Sequence, residues 1–258
     1  MDTLNAVVAH PQAYLLIVCR TSGLFLLAPV LSSASIPALV RVALVLLLAS
    51  ALFPIHGLNV PETSLDVPSL VAALGSELSI GLIVGFVASF IFLAFQMAGA
   101  LVGTQIGFSI ADVFDGSRQE QVPIIDQFYS VLVTLLFLVL DGHHLLILAL
   151  DRTFLAVPLG AAVQPGAAAL PLWQMFTEIF AAALQITLPL LAAFLLAELA
   201  LGLAARAVPQ INVLFVGMPL KILLGLFTLG LALPGTVAAA TFQMERGVRD
   251  MLTIVRAL

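Results

Sequence analysis

The densest group of side chains that could do chemistry is Asp141, His143 and His144, with Asp151 a short apolar stretch later. Imidazole nitrogens and carboxylate oxygens are the ligands that zinc and related metals accept. Zinc enzymes that hold the metal on one helix place two histidines one turn apart, with a carboxylate between them. Adjacent histidines instead point about 100° apart around a helix. The pattern therefore favours a polar turn, and it predicts neither a metal site nor a cofactor.

Sequence patterns for covalent catalysis and nucleotide hydrolysis are absent from the chain. It contains no GxSxG, HExxH or SxxK pattern and no GxxxxGK[ST] loop. Cys19 is the single cysteine, so an intrachain disulfide and a cysteine metal cluster are excluded. A cysteine in an apolar run favours a buried small side chain. We therefore predict that the chain is not an enzyme.

The composition is that of an integral-membrane helical protein. Of 258 residues, 62% are apolar and only 9% are charged, and the mean hydropathy is +1.20. A water-soluble domain of this size would need far more charge on its surface. The net charge of −5 is spread out, without a basic face or a polybasic run, which argues against nucleic-acid binding. We predict an all-α fold of kinked helical hairpins in one domain over residues 1–258.

Apolar periodicity and proline positions divide the chain into helical segments. The segment 42–55 would rise only about 21 Å, short of a hydrocarbon core of roughly 30 Å, so it is predicted not to span conventionally. Pro189 is predicted to kink the long segment that contains it. The predicted segments are 13–31, 42–55, 67–95, 128–140, 172–205 and 211–233, followed by a short amphipathic helix from Glu245.

Several apolar segments carry a charge near the middle. A charge at the centre of a lipid-facing helix costs about 2.5–3.5 kcal/mol on insertion scales, so these groups are predicted to face protein or each other. Basic residues could neutralise acidic ones, in pairings that the sequence leaves open, among Arg20, Arg41, Lys221, Glu77, Glu178 and Glu198. An alternative is a proton-coupled secondary transporter with Glu77 or Glu198 as the coupling carboxylate. Such carriers are often built from repeated halves, and no internal repeat is found here.

Glycines four apart at Gly99, Gly103 and Gly107 open the longest polar interruption in the chain. That spacing places them on one helix face, where another backbone can approach closely. The residues that follow are a mixed apolar and charged set: Phe108, Ile110, Val113, Phe114, Asp115 and Gly116. Two interpretations are open. The stretch 107–123 is either a surface connector or a movable plug whose apolar side chains close a hole.

The stretch 206–221 carries the most specific pattern, which includes Arg206, Pro209, Gln210, Asn212, Pro219 and Lys221. It resembles the signature of the FliR family, whose virulence counterparts are called SctT. The central stretch 99–123, the Asp-Gly-His-His run at 141–144 and the early Arg20, Pro29, Pro37, Arg41 pattern resemble the same family. The resemblance covers essentially the whole chain.

The resemblance implies a single-copy, all-helical subunit of the type III secretion export gate, assembled with several FliP-type and FliQ-type subunits. FlhB-type and FlhA-type subunits would complete the apparatus, and unfolded proteins would be the export substrates. It also implies location in the bacterial inner membrane and flagellar basal body, with much of the chain lifted toward the periplasm. The flagellar branch is favoured over the virulence branch by the GFS, GHH and GMPLK elements.

In the family the plug corresponds to residues 107–123 of this chain. Family members often carry aromatic residues where Ile110 and Val113 stand here, whereas this chain has Phe108 and Phe114. Gly116 stands where proline is common, which predicts a more flexible loop. Gly99 and Gly103 are expected to form a helix-packing strip. A further set of residues is expected to serve assembly or to be buried charges: Arg20, Glu77, Glu198, Arg206, Gln210, Asn212 and Lys221.

Overall fold

A computed structural model of the chain describes residues 3–58, 66–106, 124–161, 166, 169–207 and 213–257. Within those ranges the chain is all-α and contains no strand, as predicted. The helices are α1 (Thr3–Ala9), α2 (Pro11–Leu27), α3 (Ala38–His56), α4 (Val67–Ile106), α5 (Ile124–Val139), α6 (Gly142–Ala156), α7 (Ala169–Ala207) and α8 (Val213–Ala257).

Helix α2 is shorter than the predicted segment 13–31. It ends at Leu27, and Ala28 is extended, with φ −63° and ψ 128°. Pro29 accounts for this end, because proline disfavours the helical conformation of the residue before it. With 17 residues, α2 rises about 26 Å and falls short of a hydrocarbon core of roughly 30 Å.

Helix α3 is longer than predicted, and the prediction that it is too short to span was wrong. It runs for 19 residues, begins before Arg41 and contains Pro54 in its last turn. The Arg41 guanidinium reaches back to the carbonyl oxygens of Ser32 and Ser33, at 3.1 and 2.8 Å. A charged residue near the N-terminus therefore does not mark the start of this helix.

Three other helix boundaries also lie beyond the predicted segments. Helix α4 continues to Ile106, so Gly99 and Gly103 are helical. Helix α7 begins three residues before and ends two residues after the predicted segment 172–205, and it contains Pro189. Helix α8 contains Pro219 and runs on to Ala257, so the segment from Glu245 is its last part and not a separate helix.

Within the described ranges, four helices are long and apolar enough to cross a membrane: Ala38–His56, Val67–Ile106, Ala169–Ala207 and Gly217–Met251. Counting the broken pair Ile125–Val139 and Gly142–Ala156 as one span raises the number to five. Length and composition thus agree with the membrane-type class that the sequence predicts.

The chain divides into two compact units. Unit 1 comprises Met1–Phe90, Asp141–Phe176 and Met244–Leu258. Unit 2 comprises Ile91–Leu140 and Thr177–Gln243. Helices α4, α7 and α8 each contribute residues to both units.

Candidate functional site

Unit 1 contains a buried ion pair. Arg20 on α2 and Glu77 on α4 are both fully buried, and Arg20 Nε donates to Glu77 Oε2 at 2.5 Å. The other guanidinium nitrogens donate to Thr153 Oγ1 at 3.2 Å and to the Val157 carbonyl oxygen at 3.0 Å. Gly160 N donates to Glu77 Oε1 at 2.9 Å. The cluster therefore connects α2, α4, α6 and the segment after α6.

Two further contacts stabilise the buried charges of this ion pair. Gly160 has φ +75°, a left-handed conformation that favours glycine, and this places its N–H on the Glu77 carboxylate. The Arg20 guanidinium carbon also lies 4.3 Å from the centre of the Phe154 ring. The central charge of α2 is thus hydrogen-bonded and covered by an aromatic face.

Helices α2 and α4 meet through glycines. A Cβ added at Gly81 would overlap the Arg20 carbonyl oxygen, and one added at Gly85 would lie 2.9 Å from the Leu24 carbonyl oxygen. From the other side, a Cβ at Gly23 would lie 2.6 Å from the Leu78 carbonyl oxygen. Gly81 and Gly85 therefore allow the two backbones to touch.

A second polar contact in unit 1 joins α3 to α6. His56 Nε2 and Asp151 Oδ1 are 2.7 Å apart, and the His56 ring stacks on Phe154 at 4.7 Å between centroids. Phe154 thus lies against both the Arg20 guanidinium and the His56 ring. Sequence analysis did not find this contact, because nothing in the chain's spacing relates position 56 to position 151.

Unit 2 contains an antiparallel hairpin formed by the end of α4 and α5. The Phe92 and Phe137 rings are 5.4 Å apart. Farther along α4, a Cβ added at Gly99 would lie 2.7 Å from the Cα of Asp126. Because advancing along α4 means moving back along α5, the helices run in opposite directions. Gly103, one turn beyond Gly99, is also buried.

Unit 2 holds a second antiparallel hairpin, formed by α7 and α8. Lys221 Nζ donates to Glu198 Oε1 at 2.6 Å. One turn further, a Cβ added at Gly225 would lie 3.0 Å from the Phe194 ring and 2.7 Å from Ile106 at the end of α4. The two hairpins therefore touch at the end of α4.

The predicted plug residues lie outside the described part of the chain: Gly107, Phe108, Ile110, Val113, Phe114, Asp115 and Gly116. The same holds for Gln210 and Asn212. The described helices on either side form their frame: in the sequence, α4 and α5 flank residues 107–123, and α7 and α8 flank residues 208–212.

Two of the ion pairs that the sequence left open are now identified. Arg20 pairs with Glu77, and Lys221 pairs with Glu198. Arg41, which was expected among the ion pairs, instead donates to the Ser32 and Ser33 carbonyl oxygens. Arg206 lies exposed in the last turn of α7. Both mid-segment cations thus find a carboxylate within their own unit.

Three contacts of the Arg20–Glu77 pair could not be predicted from the sequence: Thr153 and Val157 accept from Arg20, and Gly160 donates to Glu77. Two of them act through backbone atoms, Val157 through its carbonyl and Gly160 through its N–H. A backbone partner leaves no mark on residue type. Gly160 lies in a connector rich in glycine, proline and alanine, which predicts a turn there but does not identify Glu77 as its hydrogen-bond partner.

Large apolar side chains are exposed along several helices. The most exposed on three of them are Leu39 of α3 at 82%, Leu203 of α7 at 70% and Leu231 of α8 at 68%. Exposed apolar area of this extent is typical of a protein whose surface is covered by lipid or by other subunits. The described chain alone does not bury it.

Comparison with known proteins gives consistent matches over most of the chain. The family model described as "Bacterial export proteins, family 1" matches residues 12–247. Flagellar biosynthetic protein FliR of Bacillus subtilis (strain 168) is 32% identical over 222 residues, covering 85% of each chain. The Escherichia coli (strain K12) protein of the same name is 31% identical over 217 residues, 83% of this chain and 82% of that one.

A third protein of that name, from Caulobacter vibrioides, is 29% identical over 256 residues, 97% of this chain and 100% of its own length. The matches contain the buried Arg20–Glu77 pair and both hairpins of unit 2, since the family model extends from residue 12 to residue 247. The chain belongs to the FliR family of bacterial export proteins.

Proposed function

We propose that this chain is a subunit of the flagellar type III protein export gate. The observation that carries the proposal is family membership across residues 12–247, together with relatives that bear the name flagellar biosynthetic protein. Those names favour the flagellar branch over the virulence branch. The subunit would lie in the bacterial inner membrane, within the flagellar basal body, with much of its length lifted toward the periplasm.

In this proposal residues 107–123 act as a plug across the export path. Support comes from the frame that holds the two ends of this stretch. Gly99 packs on the backbone of Asp126, and Ile106 packs on Gly225. A segment between two well-packed helix ends can move without disrupting them, because local opening costs only the contacts of the segment itself.

The proposed mechanism is steric and requires no catalysis by this chain. Apolar side chains of the plug exclude water and ions when the path is closed, as hydrophobic constrictions do in channels. An unfolded export substrate displaces the plug on entry. Energy would come from other subunits and the proton gradient, because the chain lacks a nucleotide-binding loop.

The proposed partners are FliP-type and FliQ-type subunits in one hetero-oligomer with a single copy of this chain. FlhB-type and FlhA-type subunits would join on the cytoplasmic side. The exposed leucines of α3, α7 and α8 support such an assembly, because adjacent subunits would bury them.

The plug is tested by replacing residues 108–115 with a glycine-serine linker of equal length. We expect ion leakage across the inner membrane to rise, because the apolar barrier is lost, while the subunit still purifies with FliP-type and FliQ-type subunits. Replacing residues 59–65 with the same kind of linker is the matched control and should leave conductance unchanged. Intact assembly with unchanged ion flux in the 108–115 variant would reject the plug.

The rival function, a proton-coupled transporter, depends on a carboxylate that can gain and lose a proton. Glu77 is held by Arg20 and by Gly160 N, and Glu198 is held by Lys221. Both carboxylates thus serve as structural partners of cations within their own unit, a role that needs no proton transfer. The observations therefore favour the export gate.

A further inference from the structure

The first turn of α6 brings together Asp141, His143 and His144. One potential ligand atom from each residue lies within 4.8 Å of those of the other two. All three residues belong to unit 1. The sequence argued against a metal site here because adjacent histidines diverge around a helix, so the way they converge requires an explanation.

Asp141 has a left-handed backbone, with φ 54° and ψ 33°. This conformation starts α6 with a backbone cap, because the Asp141 carbonyl oxygen accepts from His144 N at 2.9 Å and from Leu145 N at 3.2 Å. The carboxylate makes no capping hydrogen bond. Instead, Oδ1 lies 3.4 Å from His144 Nδ1. The acid is therefore available as a ligand.

The two imidazoles lie side by side despite their sequence adjacency. Their ring centroids are 4.3 Å apart, with the planes tilted by 34°. His143 Nδ1 is buried and has no hydrogen-bond partner among the described residues. A buried polar atom without a partner is costly, and binding an ion would satisfy it.

We propose that Asp141, His143 and His144 form a binding site for one late first-row divalent metal ion, of the Co²⁺, Ni²⁺, Cu²⁺ or Zn²⁺ class. Two imidazoles with one carboxylate suit these ions, whereas Ca²⁺ and Mg²⁺ prefer oxygen-only sets. Ligand atoms about 2.1 Å from an ion in tetrahedral geometry are about 3.4 Å apart. The 3.4 Å between Asp141 Oδ1 and His144 Nδ1 matches that value, and all three ligand atoms lie within 4.8 Å of one another.

The site is open to solvent, so an ion can enter it. The side chains of Asp141 and His144 are 69% and 70% exposed. Three protein ligands leave the remaining coordination positions to water. A bound ion would link Asp141, which precedes α6, to the histidines in the first turn of that helix.

The probe for this site is Co²⁺ alone, added to the full chain purified without a histidine tag in detergent. The weak visible d–d absorption of aqueous Co²⁺ becomes stronger and shifts when imidazole nitrogens replace water in a site of lower coordination number. We expect one ion per chain. We expect apparent affinity to fall at least tenfold in each of Asp141→Asn, His143→Gln and His144→Gln, and Zn²⁺ to displace the signal.

His10→Gln is the matched control, because His10 lies before α2, outside the cluster. It should bind Co²⁺ as the unchanged chain does. Far-ultraviolet circular dichroism checks that each variant keeps its helices. The proposal is overturned if the unchanged chain gives the spectrum of aqueous Co²⁺, or if the His143→Gln, His144→Gln double variant gives the same absorption as the unchanged chain.

Discussion

Arg20 and Glu77 show how a charge is kept inside an apolar helical protein. Each is fully buried, and the pair also hydrogen-bonds to three other residues: Arg20 donates to Thr153 and Val157, and Glu77 accepts from Gly160 N. Residue types alone predicted that Arg20 would avoid lipid, because a central charge is costly there. They did not predict the partner, since the choice among Glu77, Glu178 and Glu198 depends on which helices pack together.

Removing one member of this pair should be far more disruptive than removing an exposed charge. We expect Arg20→Met to lower the free energy of unfolding by about 3–5 kcal/mol, because Glu77 remains buried without its cation. Arg152→Met is the control, since Arg152 is exposed on α6, and it should change stability by less than about 0.5 kcal/mol. Unfolding in mixed micelles, followed by circular dichroism, measures both.

A double variant separates the loss of the pair from the loss of packing. Arg20→Met combined with Glu77→Gln should be more stable than Arg20→Met alone, because the unpaired buried charge is gone. Equal stability of the single and double variants would mean that Arg20 acts through its packing against Phe154 and not through its charge.

At the scale of helices, sequence patterns located the apolar segments but misplaced their ends. The α2 end was misplaced because the effect of Pro29 on Ala28 was overlooked. Helix α3 begins directly after Pro37, earlier than predicted, and it can include Arg41 because that side chain donates to the Ser32 and Ser33 carbonyl oxygens. The α4 end was missed because glycine weakens a helix signal, whereas Gly99 is held in place by the backbone of α5. Contacts between helices thus fix helix ends that local sequence propensity does not predict.

Two glycines of α4 give a matched test of helix packing in unit 1. Gly81→Ala should lower the free energy of unfolding by about 1–3 kcal/mol, because its methyl group would overlap the Arg20 carbonyl oxygen. Gly75→Ala meets nothing within 4 Å, so it should raise stability by about 0.5–1 kcal/mol through helix propensity. Thermal unfolding midpoints of the two variants in one detergent compare them directly. Equal midpoints would show that α2 and α4 do not touch at Gly81.

A parallel pair tests the hairpin that frames residues 107–123. Gly99→Ala places a methyl group 2.7 Å from the Cα of Asp126, and backbone cannot move aside as a flexible side chain can. We expect it to cost about 1–3 kcal/mol and to raise ion leakage, since the frame shifts. Gly202→Ala, which meets nothing within 4 Å, should leave leakage unchanged. If Gly99→Ala is destabilised but leaks no more than the unchanged chain, then closure by residues 107–123 does not depend on the packing of Gly99 against α5.

For the whole molecule, the internal ion pairs mean that mid-helix charges no longer require neighbouring subunits. Charges within apolar segments were one reason to expect neighbouring proteins, yet Arg20 and Lys221 are both neutralised within the chain. The expectation now depends on the exposed apolar side chains of α3, α7 and α8, and on family membership. Exposed leucines suit lipid as well as protein, so contact with each has to be measured separately.

Fluorescent labels at single cysteines can distinguish the two environments. The chain has one natural cysteine, so Cys19→Ser supplies a cysteine-free background. Into it, Leu47→Cys, Leu203→Cys and Leu231→Cys place reporters on α3, α7 and α8, where the leucines are 67%, 70% and 68% exposed. Brominated lipids quench a label only where it touches fatty tails.

We expect all three labels to be quenched when the chain is reconstituted alone in bilayers. In complexes with FliP-type and FliQ-type subunits, quenching should fall at two or more of the positions, because protein replaces lipid there. A label at Arg152→Cys, on the exposed face of α6, serves as the comparison for general changes in fluorescence. Undiminished quenching at all three positions in purified complexes would mean that these faces are lipid-facing, and the exposed leucines would then give no support to the proposed assembly.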